Sequence, residues 1–295
     1  MKYIFVAETA KRWGVSERSV RGYCAEGKID GAFLTGKTWN IPETAEKPDR
    51  MNKKTDTPKT LLEVLKAEKA AKLHGGIYHK IQIDLTYNSN HIEGSKLSED
   101  QTRLIFETNT VDVGEGIRVD DIIETVNHFR AIDYVIDHAE EPLTESHIKE
   151  LHRILKQSTK DSTLAWFAVG DYKKRANVVG GRETAKPKDV HGRIKALLSE
   201  YESLTVVTIN DIIRFHYEFE RIHPFQDGNG RVGRLIALKE CLRFGIVPFI
   251  IEDSKKMFYY RGLSEWGTEK GYLTDTCLDG QDTFKKLMAM FDIES

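Results

Sequence analysis

The sequence has few cysteines and no long apolar run. Its three cysteines, Cys24, Cys241 and Cys277, are odd in number and far apart. This pattern excludes a disulfide scaffold and indicates buried thiols in a reducing compartment. The longest apolar run, Ile246 to Ile251, is far shorter than the roughly 20 residues of a membrane-spanning helix. The first residues also lack the features of a secretory signal. We therefore predict a cytoplasmic protein with no membrane partner.

Charge is balanced overall but not along the chain. With 295 residues, 40% apolar and 31% charged, the composition is that of a globular protein of about two domains. Residues 1–55 hold 11 Lys and Arg against 7 Asp and Glu, and the remainder holds 33 against 39. The net charges are thus +4 and −6. A small basic module attached to a larger acidic body is the organisation that this asymmetry indicates.

The basic part has the pattern of two short helices followed by a hairpin. Residues 6–25 carry apolar side chains at helical spacing on both sides of Gly14, and Ser16 can cap the second helix. Residues 27–42 have apolar-rich segments around Thr35 and Gly36, as a β-hairpin does. We place this module at residues 1–48.

This arrangement resembles the winged helix-turn-helix modules of excisionase-like and MerR-like regulators. The resemblance implies that Arg18 and Arg21 lie on a recognition helix facing DNA, and that Lys37 lies on the wing near phosphates. DNA is therefore an expected partner, and protein docking is the alternative role for this module.

One segment of the module matches a nucleotide-binding motif by its letters alone. Residues 31–38, GAFLTGKT, fit the pattern of a phosphate-binding loop. Such a loop must follow a buried strand and open a helix. Here the residues after it, through Pro42, have the pattern of a strand. We reject a nucleotide site at this position.

The rest of the chain is predicted to be a polar linker at residues 49–60 and one all-helical domain at residues 61–295. The domain has one predicted β-hairpin, within residues 170–181, where glycines bracket a short β-like segment. Helices are predicted at 61–73, before Gly94, and at 98–108, 120–138, 144–157, 190–202, 210–221 and 230–244, with others following.

A glycine-rich segment carries the chemistry. Residues 223–234, HPFQDGNGRVGR, follow an amphipathic helical stretch and open a second helix near Gly230. The amides of Gly228, Asn229 and Gly230 form a donor array at a helix N-terminus, which suits phosphates. Arg231 and Arg234 lie three residues apart on one helical face and can bind phosphate oxygens.

Two further residues complete a phosphate-transfer site. Asp227 is a carboxylate of the kind that holds Mg²⁺ together with substrate phosphates. His223 can take a proton from a hydroxyl nucleophile. Taken singly, these residues also suit a helix end, a turn and a solvated face. Their combination within twelve residues favours the site.

In order and spacing, the segment resembles the Fic family signature H-x-F-x-[DE]-G-N-G-R-x-x-R at every fixed position. The resemblance covers roughly residues 80–280 and predicts a mainly α, all-helical Fic fold with a β-hairpin flap. In this family the flap, here with Val178 and Val179, binds a target's backbone as an added strand. Tyr259, Tyr260 and Leu263 match the helix that encloses adenine. Gly267 stands where many members have Asn.

The resemblance implies a protein adenylyltransferase, which moves AMP from ATP to a Ser, Thr or Tyr hydroxyl of a target protein. His223 would be the base, Phe225 the anchor of the loop and Asp227 the Mg²⁺ ligand. The phosphates would be bound at Gly228, Asn229, Gly230 and Arg231, with Arg234 on the γ-phosphate. The related Doc branch phosphorylates its target and has Lys at the position of Gly230. The glycine here favours AMP transfer.

A second motif, upstream, resembles the family's inhibitory helix. Residues 89–94, SNHIEG, fit S-x-x-x-E-[GN], with Ser89 and Glu93 on one helix face and Gly94 able to end the helix. The resemblance implies that Glu93 pairs with Arg234 and occupies the space of the γ-phosphate. A plain helix end is the alternative.

Other functions stay open at this point. The chain can be a DNA-binding regulator whose Fic-like body senses nucleotide without transfer, or it can transfer a different phosphate-containing group. His216 is expected to pack or orient rather than to bind a ligand, and no zinc motif is present. The sequence leaves the oligomeric state open, a homo-oligomer included.

Overall fold

The computed structural model of the chain describes residues 2–48, 60–112 and 116–294. The chain divides into two compact units, residues 1–57 and residues 58–295. The predicted linker at 49–60 lies outside the described residues except for Thr60. Each unit has its own buried apolar cluster.

The first unit contains two helices and a three-stranded antiparallel sheet. Its elements are β1 (Tyr3–Phe5), α1 (Val6–Trp13), α2 (Glu17–Ala25), β2 (Phe33–Thr35) and β3 (Thr38–Pro42), with strand order β1-β3-β2. Gly14 has φ +63° between the helices, a left-handed conformation that favours glycine. Ser16 accepts a hydrogen bond from the Ser19 amide and so caps α2 as predicted. Val20 and Ile41 are fully buried at the centre of the unit.

The predicted hairpin is present as β2 and β3, which pair from Phe33–Asn40 to Thr35–Thr38. The sequence did not predict β1, whose three residues pair with β3. Residues 31–38 form a turn, a strand and a second turn, with no helix after them. This geometry supports rejecting a phosphate-binding loop there. The winged helix-turn-helix assignment stays a prediction.

The second unit is helical. Its helices are α3 (Leu61–Ala71), α4 (Ile77–Ile92), α5 (Glu99–Thr108), α6 (Val119–Asp137), α7 (Glu145–Lys156), α8 (Pro187–Glu202), α9 (Ile209–Ile222), α10 (Asn229–Arg243), α11 (Lys256–Glu265) and α12 (Gly271–Met290). Wherever the sequence predicts the end of a helix, the observed end lies within three residues of it. The predicted mainly α fold is confirmed for this unit.

Side-chain caps explain several helix starts. Thr60 and Glu63 form a reciprocal capping box at α3, and Ser98 and Gln101 form one at α5. Thr144 accepts a hydrogen bond from the His147 amide at the start of α7. These bonds satisfy backbone N–H groups that have no partner within the helix.

Helix α10 lies at the centre of this unit, in contact with α4, α6, α7 and α9. Every one of its residues from Arg231 to Leu242 is buried. A charged side chain on such a helix needs a charged or hydrogen-bonding partner. The two arginines of the motif are therefore placed among partners supplied by distant helices.

The hairpin of the second unit differs from its predicted position. Its strands are β4 (Val178–Val179) and β5 (Arg182–Glu183), and the turn between them is formed by Gly180 and Gly181. These glycines have φ of +54° and +77°. They therefore form the tip of the hairpin, where positive φ is required, and the second strand lies beyond the predicted range.

All three cysteines are buried free thiols. Within the described ranges, no helix has both the length and the apolar character needed to cross a membrane.

Candidate active site

The loop between α9 and α10 begins at His223, which ends α9 in a left-handed conformation with φ +51°. Such a backbone is uncommon for a residue other than glycine and is typical of functional positions. Pro224 follows and prevents continuation of the helix. The chain thereby turns sharply and places the imidazole at the start of the glycine-rich loop.

Three side chains hold the loop in shape. Phe225 is fully buried and stacks on His152, with ring centroids 4.0 Å apart and planes at 3°. Asn229 bonds both backbone groups of Phe225, accepting from its N–H at 2.8 Å and donating to its carbonyl at 3.0 Å. His152 accepts the Gly170 N–H at 2.9 Å. This geometry suits the predicted role of Phe225 as the anchor of the loop. The side chain of Asn229 forms its hydrogen bonds with the backbone of the loop.

His223 is in an environment that keeps it neutral. Burial first, and then the charge of Lys173, lower the pKa of its imidazole to about 4. A neutral imidazole at pH 7 has a free lone pair and can accept a proton.

Two further ionisable residues of α9, Glu220 and His216, have shifted pKa values. Burial, and then Glu93, raise the pKa of the Glu220 carboxyl to about 8. His216 faces the Tyr259 hydroxyl at 2.8 Å, and burial lowers its pKa to about 3. As expected, His216 packs and orients its neighbour.

The N-terminus of α10 faces the same region. Gly228 precedes it with φ +80°, a conformation that favours glycine. The amides of Asn229, Gly230 and Arg231 are the first of the helix and have no intrahelical acceptor. A side chain at Gly230 would begin 2.2 Å from Glu93 Oε1 and 3.0 Å from Arg234 Nη1. Gly230 thus leaves room for an anionic group, and the Glu93 carboxylate occupies that room.

Arg234 connects α10 to the predicted inhibitory helix, which is α4. It donates from Nε to Ser89 Oγ and from Nη2 to the Ser89 carbonyl, each at 2.9 Å, and from Nη2 to Glu93 Oε1 at 2.8 Å. Gly94 then reverses the chain with φ +97°. Within the described residues, Arg234 Nη1 is buried and has no hydrogen-bond partner. One N–H edge of this guanidinium is therefore still available to an anion.

A second cluster of charges lies on the other side of the loop. Arg231 donates to Glu124 and lies 3.4 Å from Asp227 Oδ2. Lys156 Nζ contacts Glu124 Oε1 at 2.6 Å and Asp227 Oδ2 at 2.7 Å. Burial opposes ionisation of Asp227, but Arg231 and Lys156 outweigh it and hold the pKa of its carboxyl below the usual range. Asp227 is therefore ionised at neutral pH.

The donor set limits what metal this site can hold. Among the described residues, no three His, Cys, Asp or Glu side chains converge as a metal cluster. Asp227 is ionised and its side chain is half exposed. Mg²⁺ characteristically uses one or two carboxylates together with substrate phosphates and water. The residues present fit a one-carboxylate Mg²⁺ site that is completed by a nucleotide.

The flap is tied to the loop at its base. Lys173 donates its backbone N–H to the Pro224 carbonyl at 2.9 Å, and its ammonium bonds Asn177 and Thr184 across the hairpin. Val178 and Val179 on β4 are exposed, and β4 pairs only with β5 among the described strands. The other edge of β4 can accept a further strand.

The two tyrosines of α11 differ in burial. Tyr259 is 1% exposed and lies 5.8 Å from the Arg234 guanidinium, so it supports the arginine from the interior. Tyr260 is 40% exposed and donates its hydroxyl to the Ile92 carbonyl at 3.1 Å. Leu263 is half-buried against the apolar cluster that contains Tyr259. Tyr260 therefore contacts the end of α4, the predicted inhibitory helix.

Part of the second unit matches a known protein family. Residues 142–241 match the model of the Fic/DOC family. These residues lie in the second unit, which is similar to Fic/DOC domains over this range. The protein adenylyltransferase Fic of Aedes aegypti is 27% identical over 218 residues, 72% of this chain and 41% of the relative. That of Drosophila melanogaster is 30% identical over 182 residues, 60% of this chain and 36% of the relative. The chain thus spans about two fifths of the length of these relatives.

Solved structures share the fold of the Fic/DOC domain. A Fic-domain-containing signaling protein from Bacteroides thetaiotaomicron has a TM-score of 0.63 at 25% identity, over 78% of this chain and 91% of that chain. A Fic family protein from Desulfovibrio desulfuricans has a TM-score of 0.59 at 20% identity, over 79% and 75%. The predicted fold of this unit is confirmed.

Sequence reasoning missed four residues of the candidate site. They are Glu124, His152, Lys156 and Glu220, which come from α6, α7 and α9. None belongs to a short motif, so no local spacing distinguishes them from ordinary helix residues.

In the first unit, the predicted DNA-facing side chains are at the surface. Arg18 and Arg21 are exposed on α2, where Arg21 lies 3.6 Å from Glu17. Lys37 is exposed in the turn between β2 and β3.

Proposed function

We propose that this chain is a protein adenylyltransferase that is inhibited by its own Glu93. The observation that carries the proposal is the arrangement at Gly230. Arg234 keeps one buried N–H group without a partner beside this glycine, while Glu93 binds the neighbouring N–H group and fills the space in front of the helix. The names of the Fic relatives support the reaction type.

In the proposed reaction, a Ser, Thr or Tyr hydroxyl of a target protein attacks the α-phosphorus of ATP. The new P–O bond forms as the bond between the α- and β-phosphates breaks, and pyrophosphate leaves. His223 takes the hydroxyl proton, which its neutral imidazole can accept at pH 7. The exposed edge of β4 aligns the target's backbone.

The nucleotide is held by the N-terminus of α10 and its two arginines. We assign the phosphates to the amides of Gly228, Asn229 and Gly230 and to Arg231, and the γ-phosphate to Arg234. Mg²⁺, held by Asp227, would supply charge neutralisation of the phosphates. Tyr260 and Leu263 would line the adenine, with Tyr259 behind them.

The test is transfer of label from ATP to protein. The Glu93→Gly variant, incubated with a cell lysate and α-labelled ATP, is expected to label protein bands at least tenfold more than the parent chain. The Glu93→Gly, His223→Ala double variant should show no transfer. Because γ-labelled ATP marks phosphorylation instead, labelling with it alone would refute AMP transfer. Nucleotide binding without any transfer would favour the nucleotide-sensing regulator.

For the first unit we propose DNA binding through Arg18, Arg21 and Lys37, which are exposed on α2 and on the hairpin turn. We also place the protein in the cytoplasm. The three buried free thiols support a reducing compartment.

A further inference from the structure

Lys156 is the last residue of α7, and the proposed reaction gives it no role. Its side chain is 2% exposed, yet it carries a charged group. The ammonium contacts three carboxylates: Glu124 at 2.6 Å, Asp227 at 2.7 Å and Asp161 at 3.2 Å. Although burial opposes its charge, Asp227 and Glu124 raise its pKa, so Lys156 is a cation at neutral pH.

The position of this cation matters because of what it contacts. Its Asp227 contact is to Oδ2, and the same oxygen lies 3.4 Å from Arg231. Glu124 bridges Lys156 and Arg231: its Oε1 contacts Lys156 and its Oε2 contacts Arg231. Lys156 and Arg231 thus share Glu124 and Asp227, and Asp161 is a third carboxylate in contact with Lys156. Asp227 Oδ2 therefore already has an ammonium and a guanidinium beside it.

A divalent cation at Asp227 would add positive charge directly beside a buried ammonium. Like charges this close repel each other, and more strongly here than in bulk water because the ammonium is buried, although Asp227 itself is half exposed. If the ammonium moved into solvent, Glu124 Oε1 would lose its contact, and this carboxylate, only 14% exposed, would keep Arg231 alone. Lys156 therefore stays beside Asp227 and competes with a divalent ion for its carboxylate.

We propose that Lys156 determines the metal affinity of this site: it is a tethered cation on Asp227 Oδ2 that weakens divalent-ion binding and makes the site depend on nucleotide phosphates for its metal. This inference rests on the proposed function, because it takes Asp227 as the metal-facing carboxylate.

The test measures Mn²⁺ binding to the full chain without nucleotide, by the electron paramagnetic resonance signal of free Mn²⁺. Lys156→Met, which keeps the length but removes the charge, is expected to bind Mn²⁺ at least about tenfold more tightly than the parent chain. Lys156→Arg keeps the positive charge, so its Mn²⁺ affinity should stay within about threefold of that of the parent chain. Adding Asp227→Asn to Lys156→Met should abolish the gain.

Two results would overturn the proposal. One is unchanged Mn²⁺ affinity in Lys156→Met, and the other is a gain that persists after Asp227→Asn. If Met at this position prevents folding, as judged by circular dichroism, Lys156→Gln keeps an N–H donor for Asp227 and must show the same direction of change. AMP transfer by Glu93→Gly is assayed separately. An inactive chain would refute the proposed function and leave the Mn²⁺ comparison to decide the role of Lys156.

Discussion

Arg234 Nη2 donates to Glu93 Oε1 at 2.8 Å, although the two residues are 141 positions apart in the chain. The contact joins the C-terminal end of α4, the proposed inhibitory helix, to the second turn of α10. Ser89 adds two hydrogen bonds to the same guanidinium. An arginine that is buried and paired in this way is held in one position. Substitutions of its partners Ser89 and Glu93 should therefore change the rate of AMP transfer.

The first prediction concerns Ser89. Ser89→Ala removes the hydroxyl that accepts from Arg234 Nε, while the backbone acceptor remains. Loss of one such bond, about 1 kcal/mol, corresponds to roughly fivefold. We expect Ser89→Ala to increase AMP transfer by about that factor, well below Glu93→Gly. The measurement is initial labelling rate with α-labelled ATP. Ser199→Ala, on the exposed surface of α8, is the matched control, and an equal rise there would refute the assignment.

The second prediction concerns Tyr260, which donates its hydroxyl to the Ile92 carbonyl at the end of α4. Tyr260→Phe keeps the ring but removes this bond, so it should loosen the inhibitory helix and raise transfer about two- to fivefold. In the Glu93→Gly background the same change should have little effect on kcat. An equal rise in both backgrounds would mean that the Tyr260 hydroxyl does not act through Glu93. Tyr272→Phe, whose ring lies on Arg261, is the control.

The third prediction concerns the ionisation of His223. Because burial and Lys173 lower its pKa to about 4, the imidazole should stay neutral at pH 5.5. An unperturbed histidine with pKa near 6.5 would be about 90% protonated there. Titration of the histidine Cε1 protons by NMR, with His223→Ala for assignment, is the measurement. Lys173→Met should raise the pKa, since it removes a neighbouring positive charge. A midpoint near 6.5 in the parent chain would contradict the burial argument.

The fourth prediction concerns Glu220, whose pKa is raised to about 8 by burial and by Glu93. The folded state therefore holds a proton that the unfolded state releases near pH 4.5. Stability from this group is fully present below pH 4.5 and is lost as the pH rises to about 8. Glu220→Gln, which cannot ionise, should show a smaller fall in Tm between pH 5 and pH 9. Each 1 kcal/mol corresponds to about 2–4 °C in a domain of this size. Parallel Tm curves for the two proteins would refute the shift.

The sequence predicted those parts of the site that are local in the chain. His223 through Arg234 lie within twelve residues, and their chemistry follows from residue type and helix position. Ser89 and Glu93 form an i, i+4 pair that a short pattern can show. Lys156 and Glu124 were not predictable, because their importance comes from burial beside Asp227, 71 residues from Lys156.

The same limit explains the errors in the strands. β1 has three residues and exists because β3 offers an edge to pair with. The sequence pattern predicts Gly180 and Gly181 at the border of the hairpin, whereas they form its tip, where positive φ is required. Helices with capping residues, such as α3 and α5, were predicted within two residues because their start signals are local.

The last prediction concerns the first unit. If α2 faces DNA, the exposed side chains of Arg18 and Arg21 contact phosphates or bases, and binding should weaken steeply with salt because counterions are released. Arg18→Ala and Arg21→Ala should each weaken retardation of duplex DNA and reduce the salt slope by about one. Lys11→Ala, exposed on α1, is the control for charge alone. Absence of retardation for any duplex at low salt would exclude the DNA role and favour protein docking, since the basic charge of this unit would then serve an acidic protein surface.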